Sequence, residues 1–247
     1  MTTLSEPAEL SDARAAETTL REVTTRSTVR SYRIVQMHGT HGTVGAYHYA
    51  AKPPGKAVLY LGCVRDGFES PAFNLYKQVA EDMQARRVSG LRIRLRKPED
   101  LRACLDDVIL GMQFLRTQGH GEMALAAYSH AAVPAVHAAR TDPAVSALAL
   151  FSPQFPDSGI TKDLPSEGRV LFVHGGRDTA MPLEQARQAY DNIRANKEFI
   201  TLPLSRHSLD ENSSEALLKF RAWLQNWRTA PEASPRMESA NGTPEKA

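Results

Sequence analysis

The stretch Met123-Ala-Leu-Ala-Ala-Tyr-Ser129-His-Ala-Ala-Val-Pro134 decides the fold. Met123 to Ala127 are a short apolar run of the kind that forms a strand, and Ala131 to Ala139 are small residues suited to a helix. Ser129 stands at the junction, thrust out of the backbone and facing the first amides of a helix, whose partial positive charge favours an oxyanion. Downstream, Asp178 follows the apolar run Arg169–Val173, and His207 follows Phe199–Leu204. The order Ser, Asp, His is what makes the serine worth singling out.

Outward from that junction the chain alternates. Tyr32–Met37 and Val44–Tyr49 predict a hairpin about His38-Gly-Thr-His-Gly42, and Ala57–Leu61 is a strand of the type buried on both faces. Ser70-Pro71 predicts a helix start, followed by Leu75, Tyr76, Val79 and Met83 at helical spacing. Leu91, Ile93 and Leu95 alternate with arginines as in a strand, and Leu101, Leu105, Val108, Met112 and Leu115 share a helix face beginning near Pro98. Ala147–Phe151 is a further strand. Leu183, Ala186, Tyr190 and Ile193 mark one later helix, and Leu217, Phe220, Leu224 and Trp227 mark the last, with Asn212 and Glu215 able to cap it. Strands alternating with helices predict an α/β fold, a mostly parallel, doubly wound sheet with helices on both faces. Such sheets bind ligands at the carboxyl ends of their strands. Ser129, Asp178 and His207 would each fall there, on one rim.

Residues 1–29 are polar and without clear periodicity and read as a flexible N-terminal tail; residues 230–247, with three prolines, read as a disordered C-terminal tail, leaving 30–229 as the domain. A net charge of +2 gives no reason to expect nucleic acid or membrane partners. Cys63 and Cys104, the only cysteines, imply neither a disulfide framework nor a cysteine zinc site. The first twenty residues carry three glutamates and an aspartate with no apolar run, so no secretory signal is read and a cytoplasmic protein is expected. Nothing in the sequence sets the oligomeric state.

A serine hydroxyl needs a base within hydrogen-bond reach, and the base needs a carboxylate to fix its tautomer. His207 would take the proton of Ser129, and Asp178 would orient His207. Asp157 is the alternative acid, and Asp178 could instead cap the helix after it. Two backbone amides would meet the oxyanion, that of His130 and one from Cys63-Val64, with Val64 favoured. His174 reads as a buried structural histidine. His38 and His41 read as hairpin residues rather than metal ligands, and Cys63 as a small hydrophobe. At least one of Arg92 and Arg94 should pair with a carboxylate, and Arg96 and Lys97 should lie on a solvated rim, with attraction of an anionic substrate as the alternative.

From about 30 to 228 the chain resembles the α/β-hydrolase superfamily, in particular its compact dienelactone-hydrolase-like branch. The resemblance rests on Val58-Leu59-Tyr60-Leu61-Gly62-Cys63-Val64, the elbow Ala127-Tyr128-Ser129-His130-Ala131, His174-Gly175-Gly176-Arg177-Asp178, and Arg206-His207-Ser208-Leu209-Asp210-Glu211. It implies a hydrolase of small carboxylic esters or thioesters with Ser129 as nucleophile, Asp178 as acid and His207 as base, acting on a small-molecule acyl substrate without cofactor or metal. Both glycines of the family's G-x-S-x-G elbow are alanines here, and the glycine-rich oxyanion stretch becomes Val64-Arg65-Asp66-Gly67. That loop is what favours the alternative, a non-catalytic binding protein on the same fold. Only 17 residues, Ser152 to Gly168, separate two of the strands, so no separate lid domain is expected.

Overall fold

In the computed structural model, residues 17–62, 68 and 70–229 are described. Nine strands form one sheet in the order β1-β2-β3-β5-β4-β6-β7-β8-β9. The strands β1 (Leu20–Arg26), β2 (Arg33–Gly39) and β3 (Gly42–Tyr49) are an antiparallel run, and β3 pairs antiparallel with β5 (Ser89–Ile93). From β5 onward, β4 (Ala57–Leu61), β6 (Met123–Tyr128), β7 (Val145–Phe151), β8 (Arg169–Gly175) and β9 (Asn196–Leu202) are all parallel.

The central strands are apolar on both faces because both are covered. Leu59, Leu125, Leu148 and Phe172 point into one layer, and their neighbours Val58, Ala124, Ala149 and Leu171 into the other. The first layer is closed by α2 (Leu101–Thr117), α3 (Ala132–Thr141) and α4 (Leu183–Asp191), the second by α1 (Pro71–Ala85) and α5 (Ser213–Thr229). Among the described residues no helix is long and apolar enough to cross a membrane.

The structure corrects several sequence expectations. The flexible tail assigned to residues 1–29 contains β1, which pairs with β2 along its length. Gln113 on α2 ties it down, accepting from the Leu20 amide at 2.7 Å and donating to the Thr18 carbonyl at 2.8 Å, while Thr18 donates to buried Asp106 at 2.8 Å. The strand lacks an apolar pattern because it is a sheet edge, where exposed charges such as Arg21, Glu22 and Arg26 deter pairing with other chains. The C-terminal segment 230–247 lies outside the described residues.

Strand β9 begins three residues before the predicted start and ends before Pro203, which has no amide for the ladder. The last helix is not capped by Asn212, whose Oδ1 accepts from Ser205 Oγ at 2.9 Å. The helix near Pro98 starts at Leu101, with Asp100 accepting from the amides of Arg102 and Ala103. Among the described residues no carboxylate pairs with Arg92 or Arg94. Arg92 is 7% exposed, lies over the Tyr47 ring and donates to the Phe68 carbonyl at 3.3 Å, while Arg94 faces solvent. Arg96 is not a solvated rim charge. It pairs with buried Asp107 at 2.5 Å and donates to the His41 carbonyl, fastening the β2–β3 turn to α2.

Candidate active site

Strand β6 leads straight into Ser129, whose φ of 57° lies in the left-handed region. A non-glycine residue there costs of order 1–2 kcal/mol and persists only where its surroundings hold it. A single 3-10 turn, Ser129–Ala131, then joins the strand to α3. Ala127 and Ala131, the residues flanking the turn, are fully buried. Their methyl groups are small enough for strand and helix to meet, so the elbow forms without the usual glycines. The amide of Gln154 donates to the Ser129 carbonyl at 3.2 Å and fastens the turn to the loop after β7.

His207 arrives from the loop after β9, and its position depends on close backbone contact with the end of β8. The amide of Gly176 donates to the Leu202 carbonyl at 2.8 Å and that of Arg177 to the Ser205 carbonyl at 2.9 Å. A Cβ on Gly176 would stand 2.8 Å from the Pro203 carbonyl oxygen. The far side of the loop is held by the irregular entrance to α1, where Ala72, Phe73 and Asn74 all have positive φ. The Ala72 amide donates to the Ser208 carbonyl at 2.7 Å and the Phe73 amide to Asp210 Oδ1 at 3.0 Å. The sequence reading of a regular helix from Pro71 therefore fails at its first turn, which serves the histidine loop instead.

These supports bring three residues into line. Ser129 Oγ lies 2.9 Å from His207 Nε2, and His207 Nδ1 lies 2.8 Å from Asp178 Oδ2. Ser129 is 2% exposed and Asp178 7%. Since an ionised Asp178 can only accept, His207 Nδ1 carries the proton and Nε2 is left as the acceptor for the serine. Burial works against the ionised form of Asp178, but hydrogen bonds from His207 and the Met181 amide outweigh it and hold its pKa below the ordinary aspartate value. Asp178 meets His207 but does not cap the following helix, whose N-cap position is Pro182 with no side-chain hydrogen bond. Oδ2 faces His207, while Oδ1 accepts from the amides of Ala180 at 2.9 Å and Met181 at 3.0 Å, closing the turn before α4.

His174 is fully buried and donates from Nε2 to the Met181 carbonyl at 2.9 Å; burial lowers its pKa and keeps it neutral. It packs beside Asp178, with Nε2 3.5 Å from Oδ2. Asp157, the alternative acid, is exposed on the β7–β8 connection and has no hydrogen bond to His207. His130 follows the serine within that turn, and partial burial of its ring, then the charge of His207, lowers its pKa. Cys63 and Val64, the other residues assigned to the oxyanion hole, lie outside the described residues. His38 sits at the hairpin end with Nδ1 2.9 Å from Thr43 Oγ1.

Sequence reasoning missed Gln154. Its Oε1 lies 3.1 Å from Ser129 Oγ, and its Nε2 donates to the Ala180 carbonyl at 3.4 Å. The chain reaches this position through Ser152, whose φ of 40° bends it off the end of β7 while its amide donates to the Val173 carbonyl at 2.9 Å. The only available signal was its place just beyond the carboxyl end of a strand.

No family model and no curated protein matches the chain. Its backbone, however, is similar to solved structures over most of its length. An acetyl xylan esterase from Paenibacillus sp. R4 superposes with a TM-score of 0.68 at 13% identity, covering 90% of this chain and 96% of that one. A dienelactone hydrolase from Anabaena variabilis gives 0.64 at 15% identity, covering 83% and 99%. An alpha-beta serine hydrolase homologue from Coxiella burnetii gives 0.62 at 16%, covering 81% and 99%. The sheet order, the elbow after β6 and these superpositions together establish that the chain has the α/β-hydrolase fold.

Proposed function

We propose that the protein is a serine hydrolase that cleaves a small carboxylic ester or thioester through an acyl-enzyme. The observation that carries this reading is the continuous hydrogen-bond line from Ser129 Oγ through His207 to an ionised, buried Asp178. As the hydroxyl attacks the acyl carbon, its proton passes to His207 Nε2, and Asp178 stabilises the imidazolium that forms. His207 then gives the proton to the leaving oxygen or sulfur. In the second half it takes a proton from water, which attacks the acyl-enzyme and regenerates the serine hydroxyl. The amide of His130, together with one from Cys63-Val64, receives the oxyanion in both halves. Every step draws on side chains and amides of this chain and on water.

Between β7 and β8 the chain is short and carries no more than the 3-10 turn Ser158–Thr161. A connection that short leaves no room there for a separate lid domain, which suits small, water-soluble acyl compounds better than long lipids.

Labelling with a fluorophosphonate tests the reading. The wild type should label and Ser129→Ala should not. A folded wild type that resists labelling would instead support a binding protein that has kept the fold without turnover.

A further inference from the structure

Ser129 has one hydroxyl proton and two acceptors. His207 Nε2 is 2.9 Å away and Gln154 Oε1 is 3.1 Å away. The carboxamide cannot simply turn over to become a donor to the serine. Its Nε2 faces the Ala180 carbonyl, and the reversed orientation would set Oε1 against that oxygen. Gln154 therefore presents an acceptor to the nucleophile. It is anchored by its backbone amide on the Ser129 carbonyl and is partly exposed, with Oε1 beside the nucleophile.

Acylation changes what this acceptor meets. Oγ forms a bond to the acyl carbon, the bond from that carbon to the leaving group breaks, and the serine proton departs on the leaving group by way of His207. The one serine proton serves His207 Nε2, so Oε1 of Gln154, 3.1 Å from Oγ, is a second acceptor that Ser129 leaves without a donor when the acyl group is packed beside it. A half-buried carbonyl oxygen left without a donor is costly, and a plain alkyl acyl chain would leave it so. A hydroxyl or amino group on the carbon next to the scissile carbonyl would offer Oε1 the donor it lacks.

We propose that Gln154 is a specificity-determining residue that favours acyl groups bearing an O–H or N–H donor on the carbon adjacent to the scissile carbonyl. The inference rests on the serine-hydrolase reading above and narrows its substrate class. It differs from a purely structural role for Gln154, which would affect all acyl groups alike.

Ethyl lactate and ethyl isobutyrate test it, since they differ by a hydroxyl in place of a methyl on that carbon. Their kcat/KM values are each divided by the rate constant for hydroxide hydrolysis to remove intrinsic reactivity. The wild type should favour the lactate ester by about tenfold, the discrimination expected when a site keeps or loses one buried hydrogen bond. The preference should vanish in Gln154→Leu and survive in Gln154→Glu, which keeps an acceptor. A wild-type ratio near one overturns the proposal, and so does a preference that persists in Gln154→Leu. The wild-type ratio and Gln154→Glu decide the matter even if Gln154→Leu does not fold. Fluorophosphonate labelling of Ser129, run alongside, separates the two ways of failing. A labelled enzyme without the preference removes the role of Gln154 alone, while an unlabelled enzyme removes the hydrolase reading and this inference with it.

Discussion

A methyl group on Gly175 would press into the carbonyl oxygen of Ser205 and lie 2.5 Å from that of Arg206. The end of β8 and the loop that carries His207 are thus in backbone contact, with no space for a side chain between them. Asp178 and His207 reach each other because this contact sets the span between their loops.

Gly175→Ala should therefore damage catalysis out of proportion to the size of the change. The loop must move away, and a displacement near 1 Å at a catalytic base costs on the order of 10²-fold in rate. The expected result is a fall in kcat of that size for any ester the wild type accepts, with a lowered Tm. Unchanged kinetics would mean that the contact does not set the position of the base.

The divided carboxylate of Asp178 allows its two tasks to be separated. Asp178→Asn keeps an oxygen for the Ala180 and Met181 amides and should leave Tm close to wild type, yet lower kcat by about 10⁴ through loss of the correct imidazole tautomer. Asp178→Ala removes both functions and should lower Tm as well. Thermal melts beside ester kinetics distinguish the two variants.

Elbow packing gives a third expectation. Ala131 is 1% exposed where β6 meets α3, so Ala131→Val should overpack the turn and destabilise by about 1–3 kcal/mol, with loss of activity as Ser129 is displaced. Ala131→Gly should stay active. Denaturant unfolding with a parallel rate measurement checks both.

Two buried groups far from the site should shape stability in acid in opposite senses. Burial, followed by the charges of His120 and Arg33, lowers the pKa of His48 to about 4. Its contribution is complete above the unfolded value of about 6.5 and is lost as pH falls through about 4, amounting to about 3 kcal/mol once the ring is fully protonated. Burial raises Asp107 to about 6 despite its pairing with Arg96, so its contribution is present below the unfolded aspartate value and is lost as pH rises through about 6. Relative to wild type, Tm should fall less from pH 7 to pH 4 in His48→Leu and more in Asp107→Asn.

The central sheet was legible because strands covered on both sides carry uninterrupted apolar runs. Ala57–Leu61 came out residue for residue, and the triad candidates were found from their places beyond strand ends. What escaped was structure held by contacts distant in sequence. Strand β1 is fixed by Gln113 and by its neighbour β2 rather than by a pattern of its own. The first turn of α1 is bent to serve Ser208 and Asp210, residues more than a hundred positions away. Gln154 could not be identified because nothing about a glutamine beyond a strand tells where its side chain will point.

The short connection between β7 and β8 bears on how turnover would be paced. With no domain to swing aside there, encounter and departure need not wait on a slow rearrangement of that segment, and detergent micelles or oil droplets should bring no jump in rate. Movement of that segment would then not set the tempo of turnover.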